Sequence, residues 1–565
     1  MIRAKIEEAI RVALADLGLG EIDFTLEHPE NPDHGDYSTN AALVAAKKTK
    51  GNPLEIAGTF RVAILARVSL NEIERIEIAG QGFINFFLSK NYLSDNLKTI
   101  IADESYGKGG SLEEKKIIIE YTDANPFKEL HIGHLMSNTI GEALSRLIGW
   151  GGAEVKRACY QGDIGLHVAY AVAYKLREGK KWQNIQDIAS SYSLGVKRSE
   201  ENEEFRNFVA ETNRKIYRKD DQEVNETYNL GREISLKSFE SVYEKLGTKF
   251  DYFFFESTTG EFGKTIVRQH IPDIFEESEG AVIYKGEKRD TRLHTRVFIN
   301  KDGLPTYEAK ELGLTKIKYD TFPYDKSVVV TGNEINDYFR VVLSAMKEVF
   351  PKLAEKTEHI SHGMLRLPTG KMSSRSGEII SAEELIDEVS KRALNKIEYG
   401  GRKIENKDKL AEEVAVGAIK YSILKQAIGR DIVFDFDKSL SFEGDSGPYL
   451  QYTFARTNSV LEKASKDGVS HLEVELPSGE IVDLIRKLHV FPEIIERSLH
   501  DFAPNYLVTY LTELASIFNK FYAEYQIIDS GSPEVTSKRL MVTKAVNTVL
   551  KNGLSVLGIA APDRM

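Results

Sequence analysis

The chain has 565 residues, of which 41% are hydrophobic and 28% are charged, and its formal net charge is −11. This length predicts several domains, and the acidic balance excludes an overall basic surface of the kind that binds nucleic acid without specificity. The single cysteine, Cys159, excludes an intrachain disulfide framework and a CxxC metal site. No apolar run approaches the roughly 18 residues of a membrane-spanning helix, so no membrane partner is expected. The single cysteine fits a reducing compartment, and we expect a cytoplasmic protein.

Residues 1–108 are predicted to form a small α+β domain. Apolar residues recur at helical spacing from Ile2 to Leu17, and the acidic residues Glu7 and Glu8 within that helix argue against a transit peptide. A loop rich in Gly, Pro, Asn and Asp follows, and the run GFINFFL predicts a strand near the end of the domain. The segment YGKGGS then predicts a linker.

Residues 109–385 carry alternating strand and helix signals, with a densely charged helical insertion at about 170–250. The runs typical of strands are KIIIEYT, EVKRACYQ, KSVVVTGNE and HISHGMLRL. Strands that alternate with helices predict a parallel sheet, and ligands bind beyond the carboxyl ends of such strands. Four polar or glycine-rich segments fall at those ends, namely HIGH, GDIG, TGNE and GKMSS.

From about residue 381 onward the strand signals fade and the periodicity is helical. We expect a helical connector at 386–446 and an all-α domain at 447–565, with one polar connection inside it. The predicted fold class is therefore an α/β domain with a parallel sheet, flanked by a small α+β N-terminal domain and an all-α C-terminal domain.

The stretch ANPFKELHIGHL combines two histidines with the predicted start of a helix. A helix start offers unpaired N–H groups and a positive dipole end, so it suits a phosphate. His131 and His134 lie one helical turn apart, so both imidazoles could bind a phosphate whose charge grows during reaction. Gly133 leaves room for a base or ribose, and Lys128 adds a cation. The alternatives are a metal site, which lacks nearby completing ligands, or two core histidines.

A second polar loop, GKMSSRSG, lies more than about 230 residues further on, after a predicted strand of the same sheet edge. A small flexible loop with cations at both ends can close over a triphosphate, where the hydroxyls also donate hydrogen bonds. Alone, such a loop is more often an ordinary surface loop. Together with HIGH it predicts a nucleotide site that includes Lys371, Met372, Ser373, Ser374 and Arg375.

The HIGH and KMSSR segments together resemble the two signatures of class I aminoacyl-tRNA synthetases. The surrounding sequence is similar to the arginyl-tRNA synthetase family in particular, because EYTDANPFKELHIGHL matches that family's extended HIGH region. DFDKSLSFEGDSGPYLQYTFAR resembles its entry into the anticodon-binding domain, and AGQGFINFFLS resembles the close of its N-terminal domain. The C-terminal stretch RLMVTKAVNTVLKNGLSVLGIAAPDRM is also similar, so the resemblance extends over essentially the whole chain.

The resemblance implies a Rossmann-like catalytic domain that ligates L-arginine to tRNA(Arg) in two steps. The arginine carboxylate attacks the α-phosphate of ATP, and the terminal ribose of the tRNA then takes the arginyl group. The family uses Mg²⁺ with ATP, usually needs bound tRNA for the first step, and implies a monomer here; no metal site of the protein itself is expected. By resemblance, His131 and His134 stabilise the transition state, Lys128 supports them, and Lys371 holds the leaving pyrophosphate.

The resemblance also implies which residues bind arginine and tRNA. A guanidinium pairs bidentately with carboxylates, and the family positions for the arginine pocket correspond to Glu120, Asn125, Tyr307, Glu311, Asp163 and His167. The family usually has Asp where this chain has Glu311, and an exposed helix charge is the alternative there. GDIGLH and TGNEIND also depart from the usual family sequences. The residues expected to bind tRNA are Tyr449, Gln451 and Arg456.

Three hypotheses remain open at this stage. The first is the arginine-specific enzyme. The second is a class I synthetase of another specificity or a related nucleotidyltransferase, and the third is a non-catalytic paralogue that only binds tRNA. The aromatic residues of the C-terminal helices do not decide between them, because aromatics at helical spacing are more often core residues than base-stacking platforms.

Overall fold

The structure is a computed structural model, and it describes residues 2–29, 31–69, 71–368, 380–399, 404–468, 481–529 and 531–565. Contacts divide the chain into two compact units. One unit comprises Met1–Tyr106, Thr457–Pro492 and Leu514–Val549, and the other comprises Gly107–Arg456, Glu493–Glu513 and Leu550–Met565. None of the helices in the described ranges combines the length and apolar character needed to cross a membrane.

The N-terminal region forms a four-stranded antiparallel sheet with helices. The first helix buries Ile2, Ile6 and Ile10, as the helical spacing of these residues predicts. The elements of the N-terminal region are α1 (Ile2–Asp16), β1 (Leu26–Glu27), β2 (Tyr37–Thr39), α2 (Ala41–Thr49), α3 (Pro53–Leu65), β3 (Ile73–Ala79), β4 (Phe83–Leu88) and α4 (Lys90–Ala102). The strand order is β1-β2-β4-β3, so the predicted strand GFINFFL lies in the middle of the sheet as β4.

The second region begins with strands and helices that alternate. The helix after the HIGH segment is buried along most of its length, which fits a helix packed on a parallel sheet. The elements in chain order are β5 (Lys116–Glu120), α5 (Ile132–Trp150), β6 (Glu154–Gln161), α6 (Leu166–Glu178), α7 (Ile185–Glu201), α8 (Glu203–Arg218), α9 (Gln222–Leu246), β7 (Tyr252–Phe255) and α10 (Glu256–Gln269). The four helices α6 to α9 are the predicted helical insertion, and they bury a core of their own around Trp182.

The rest of the second region completes the main sheet and adds a small one. Its elements are β8 (Glu276–Ser278), β9 (Ala281–Lys285), β10 (Thr295–Ile299), α11 (Tyr307–Thr321), β11 (Lys326–Gly332), α12 (Asn336–Val349), α13 (Pro351–Lys356), β12 (Thr357–His362) and β13 (Leu365–Arg366). The main sheet has the order β12-β11-β5-β6-β7, and every neighbouring pair is parallel. The predicted parallel sheet is therefore confirmed, whereas the antiparallel sheet β10-β9-β8 was not predicted.

The described residues of the C-terminal region, 380–399, 404–468, 481–529 and 531–565, form helices and one short strand. The elements of this region are α14 (Ala382–Tyr399), α15 (Lys407–Leu424), β14 (Ile432–Val433), α16 (Phe436–Ser439), α17 (Gly447–Lys466), α18 (Val482–His489), α19 (Phe491–His500), α20 (Pro504–Glu524) and α21 (Pro533–Val556). The expectation of a wholly helical connector at 386–446 is wrong, because β14 pairs in parallel with β13. A two-residue strand gives no periodicity in the sequence, so only the partner strand reveals it.

Candidate active site

The turn between β5 and α5 has a strained backbone. Thr122, Asp123 and Phe127 have φ angles of 77°, 46° and 70°, which non-glycine residues rarely adopt. Buried hydroxyl groups hold this turn: Thr122 donates its N–H to Ser137 Oγ at 3.0 Å, and Phe127 donates its N–H to Ser235 Oγ at 3.0 Å. Such strain persists only where the surrounding structure determines it, and it is concentrated at functional sites.

The two histidines of HIGH cap the start of α5. His131 Nδ1 accepts the N–H of Gly133 at 3.1 Å, and His134 Nδ1 accepts the N–H of His131 at 3.1 Å. The rings stack with their centroids 3.8 Å apart. Burial lowers the pKa of both histidines, that of His134 well below its usual value. Both rings are therefore neutral with the proton on Nε2, and each Nε2–H is the donor left for a ligand.

The chain that follows the KMSSR segment lies against the HIGH segment. Ile132 donates its N–H to the carbonyl of Ile380 at 3.3 Å, and Ala382 donates to the carbonyl of Leu130 at 2.6 Å. His131 and Ser381 thereby form an antiparallel bridge. The structure does not describe the predicted nucleotide-binding residues Lys371, Met372, Ser373, Ser374 and Arg375. The bridge between Ser381 and His131 places the chain just after them at the start of α5.

Two buried ion pairs lie beyond the carboxyl end of the sheet. Glu120, the last residue of β5, accepts from Lys318 Nζ at 2.7 Å, and both side chains are 2% exposed. Glu256, which follows β7 directly, pairs with Lys310 of α11, and both side chains are 5% exposed. The predicted arginine ligand Glu120 is therefore already paired with a lysine of the protein.

Two further carboxyl groups share this region without a cation. Among the described residues, neither Asp123 nor Glu311 forms an ion pair. Burial, together with the charge of Glu120, raises the pKa of Asp123 well above its usual range and raises that of Glu311 to about 8. Lys318 opposes both shifts. The site thus contains four carboxyl groups and two lysines, and it favours one additional cation.

The close crossing of α10 and α11 sets the position of Glu311. A Cβ atom on Gly263 of α10 would lie 1.9 Å from the carbonyl oxygen of Ala309, and one on Gly313 of α11 would lie 2.3 Å from that of Thr259. Only glycine fits at both positions, so the two helix backbones touch. This contact fixes α11, which carries Glu311 on its buried side.

Two predicted arginine ligands have other partners. Asp163 is fully buried and accepts four hydrogen bonds, from Tyr228 Oη (2.9 Å), Arg232 Nε (3.1 Å), Ser257 N (2.9 Å) and Ser257 Oγ (2.7 Å). These donors occupy its oxygens, so the prediction that it binds arginine is not supported. His167 Nε2 lies 2.7 Å from the carbonyl of Gly162, and burial lowers its pKa to about 4. His167 is a neutral residue that fixes the GDIG loop.

The other predicted catalytic-domain residues surround the same site. A Cβ atom on Gly162 would lie 2.2 Å from Asn125 Oδ1, so the Asn125 amide packs on the GDIG loop. Lys310 Nζ lies 5.1 Å from the ring centroid of Tyr307, which is 56% exposed at the start of α11. Lys128 Nζ lies 4.6 Å from the ring of Tyr192 in the helical insertion. The structure therefore groups Asn125 and Tyr307 with the buried charges.

The predicted tRNA contacts on α17 divide into two groups. Gln451 is fully buried, and its Nε2 donates to the carbonyls of Glu413 at 3.1 Å and Ala560 at 2.9 Å. The interior position of this side chain does not support the prediction that Gln451 contacts tRNA, which stays a prediction. Tyr449 and Arg456 are half-buried and are compatible with a surface contact.

Four functional candidates were missed in the sequence, namely Asp123, Glu256, Lys310 and Lys318. Glu256 follows an apolar strand directly, which is the position where site residues of a parallel sheet occur. Lys318 lies seven residues after Glu311, two helical turns on the same face of α11. Their pairing with Glu120 and Glu256 bridges distant parts of the chain, so no local pattern reveals it.

Comparison with known proteins then identifies the family. Residues 96–436 match the family model for the catalytic domain of class I tRNA synthetases (R), residues 450–565 match the DALR anticodon binding domain, and residues 3–88 match the arginyl tRNA synthetase N terminal domain. The chain belongs to the arginyl-tRNA synthetase family. The resemblance read from HIGH and KMSSR is thereby confirmed.

Relatives in this family match over nearly the full chain. The arginine–tRNA ligase of Treponema denticola is 31% identical over 561 residues, covering 94% of this chain and 93% of the relative. That of Lactobacillus delbrueckii subsp. bulgaricus is 30% identical over 573 residues, covering 99% of each. The Thermus thermophilus arginyl-tRNA synthetase structure superposes with a TM-score of 0.82 at 24% identity over 100% of both chains, which confirms the fold.

Proposed function

We propose that this chain ligates L-arginine to tRNA(Arg) with ATP, through the site formed by β5, α5 and α11. The observation that carries the proposal is the charge of the buried pocket. Four carboxyl groups face two lysines beside a helix start that presents two Nε2–H donors. A cationic amino acid and an anionic phosphate are the ligands that satisfy both halves of such a site.

In the first step, an oxygen of the arginine carboxylate forms a bond to the α-phosphorus of ATP, and the bond to pyrophosphate breaks. His131 and His134 donate their Nε2–H groups to the phosphate oxygens, while the N-terminal dipole of α5 attracts the same negative charge. Because each Nδ1 accepts a backbone N–H, each neutral imidazole acts on the phosphate as a hydrogen-bond donor through Nε2–H. Lys128 supports this positive region, and Lys371 to Arg375 are assigned to the leaving pyrophosphate.

The guanidinium of arginine is assigned to the carboxyl groups of Glu311, Asp123 and Glu120. Lys318 is paired with Glu120, so Glu311 and Asp123 are the carboxyl groups that can ionise when a guanidinium binds. A planar guanidinium offers donors to two carboxylates at once. Asn125, Tyr307 and Glu256 are assigned to the remaining polar groups of the amino acid.

In the second step, the terminal ribose hydroxyl of the tRNA attacks the arginyl carbonyl, and AMP leaves. We assign residues 1–108 and 447–565 to tRNA binding, 109–385 to catalysis and 386–446 to the connection between them. The family matches at 3–88 and 450–565 support the two outer domains, while the catalytic match extends to residue 436. Tyr449 and Arg456 are the proposed contacts on α17. Binding is expected to weaken with salt, because phosphate contacts release counterions.

Mg²⁺ is assigned to the nucleotide. Within the described ranges, no three His, Cys, Asp or Glu side chains group closely enough to hold a metal ion. Mg²⁺ typically binds through substrate phosphates with few protein ligands, and when bound it would offset phosphate charge. A monomer in the cytoplasm completes the proposal, and both of these parts rest on the family resemblance.

The test is ATP–pyrophosphate exchange with each of twenty amino acids, with and without total tRNA. Exchange that depends on arginine and tRNA, followed by arginylation of that tRNA, is the expected result. Exchange with a different amino acid would replace the specificity. If the protein binds tRNA but gives no exchange with any amino acid, even at high protein concentration, it is a non-catalytic paralogue.

A further inference from the structure

A buried polar cluster lies along α5, behind the catalytic turn. Glu142 accepts hydrogen bonds from Tyr121 Oη at 2.6 Å, Arg146 Nε at 2.6 Å and Arg157 Nε at 3.0 Å. Tyr121 stands between Glu120 and the strained residue Thr122. The proposed reaction uses none of these four side chains, so the cluster needs a separate explanation.

The ring of Tyr121 is held in one place. A Cβ atom on Gly141 would lie 2.2 Å from that ring, so the ring lies directly on the backbone of α5. Burial and the charge of Glu142 raise the pKa of Tyr121 well above its usual value, so its hydroxyl stays protonated and donates to Glu142. The position of Glu142 therefore sets the position of Tyr121 and of the turn that follows it.

Two cations connect this cluster to the ends of two other helices. Arg146 donates to the carbonyls of Gly247 at 3.1 Å and Ser555 at 3.2 Å. Lys420 of α15, which is 1% exposed, donates to the carbonyls of Leu246 at 2.6 Å and Gly558 at 2.7 Å.

Each cation thus bridges the same two helix ends. Leu246 is the last residue of α9 and Gly247 follows it, whereas Ser555 lies in the last turn of α21 and Gly558 lies just beyond its end. The last carbonyls of a helix carry the negative end of its dipole, so the two cations stabilise both ends together. At Ser555 the bond from Arg146 adds to one from the N–H of Gly558 at 3.1 Å.

We propose that Lys420 and Arg146 are positioning residues for the ligation reaction. By joining the ends of α9 and α21 they hold Glu142, which in turn holds Tyr121. Tyr121 then keeps the following turn in the left-handed conformation that presents Asp123. This inference rests on the proposed function. It states that the cluster keeps the reacting groups in position as well as stabilising the fold.

The proposal predicts that Tyr121 and Lys420 act as one unit although Glu142 and Arg146 lie between them. Residues that share a hydrogen-bond network give non-additive effects, whereas independent residues give additive ones. Tyr121→Phe removes the hydroxyl and keeps the ring against α5. Lys420→Met removes the ammonium, while Lys420→Arg keeps a cation with donors for both carbonyls.

The experiment is a double-mutant cycle in kcat, measured by arginine-dependent exchange with saturating tRNA. Each single variant, Tyr121→Phe and Lys420→Met, is expected to lower kcat about 10- to 100-fold, since misplacement by about 1 Å costs on that order. The KM for ATP should stay within about twofold, because the donors of His131 and His134 are intact. The double variant is expected to be little slower than the slower single variant, and Lys420→Arg is expected to restore most of the rate.

Lys425 provides the matched control. Lys425 directly follows α15, the helix that carries Lys420. Its side chain is 33% exposed and pairs with Asp445 at 3.1 Å. Lys425→Met should leave kcat within about twofold of the unmodified enzyme and should combine additively with Tyr121→Phe. If Lys420→Met does not fold, Arg146→Lys takes its place in the cycle, because it keeps the charge and loses the bidentate reach.

Three results would overturn the inference. Multiplicative effects in the Tyr121 and Lys420 cycle would show independent residues. A lowered melting temperature with unchanged kcat in Lys420→Met would show a purely structural role. Failure of Lys420→Arg to restore kcat, with the variant folded, would show that the cation is not what matters. Failure of the proposed function is distinct, because then the unmodified enzyme itself lacks arginine-dependent exchange.

Discussion

Arginine binding is expected to release a proton from the pocket. Burial and the neighbouring charge of Glu120 raise the pKa of Glu311 to about 8, so about nine in ten of these groups are protonated at pH 7. A guanidinium within hydrogen-bonding distance lowers a carboxyl pKa by about 1–3 units. Glu311 would then titrate between about pH 5 and 7, which corresponds to a release of about 0.4 to 0.9 protons at pH 7.

Titration calorimetry measures this release directly. The observed binding enthalpy at pH 7 is plotted against the ionisation enthalpy of several buffers, and the slope gives the number of protons released. Glu311→Gln is the control, and its slope should fall by the share of the proton release that Glu311 contributes, while binding stays measurable. A zero slope in the unmodified enzyme would refute the reasoning, and an unchanged slope in Glu311→Gln would place the proton on Asp123.

The same group predicts how stability depends on pH. The pKa of Glu311 in the folded protein lies above its ordinary value of 4.5, so the folded state binds the proton more tightly than the unfolded state does. Its contribution to stability is therefore complete below about pH 4.5 and is lost as the pH rises through about 8.

Three other variants test the site. Lys318→Met leaves Glu120 buried without its cation and should lower the free energy of unfolding by about 3–5 kcal/mol, as measured by urea denaturation; a loss below about 1 kcal/mol would contradict the importance of this pair. His134→Ala should lower the adenylation rate about 10²- to 10³-fold with little change in tRNA affinity, and a parallel loss of tRNA binding would show that His134 is structural. Gly313→Ala should separate α11 from Thr259 and raise the KM for arginine in steady-state exchange, with the KM for ATP as the internal control; an unchanged KM for arginine would show that the helix contact does not set the pocket.

The sequence predicted those parts of the site that depend on local pattern. The apolar run of β5 and the helical spacing after His134 identify a strand followed by a helix, and two histidines at that junction indicate a ligand site. The parallel sheet followed from the alternation of strands and helices, because such connections place all carboxyl ends on one edge. Short elements such as β14 gave no signal, because two residues are too few to show a period.

The sequence did not predict which polar residues face the ligand. Asp163 follows a strand and looks like a ligand, yet it accepts four hydrogen bonds from α9 and α10. Gln451 lies in a segment that matches the family, yet it binds backbone carbonyls in the interior. In both cases the partners come from distant segments, so the role of the side chain depends on tertiary packing that local sequence does not encode.

The two buried lysines explain how four carboxyl groups can share one pocket. Without a cation, neighbouring carboxylates in a buried site raise one another's pKa until they take up protons, which leaves neutral acids that discriminate poorly between charged and neutral substrates. Lys318 and Lys310 keep Glu120 and Glu256 paired, so the carboxyl groups that hold a proton in the empty pocket are confined to Glu311 and Asp123. A neutral analogue of arginine such as citrulline would leave the proton on Glu311, because it provides no charge to displace it. With arginine assigned to this pocket, we expect selection by charge, since only a cation makes ionisation of the remaining acid favourable.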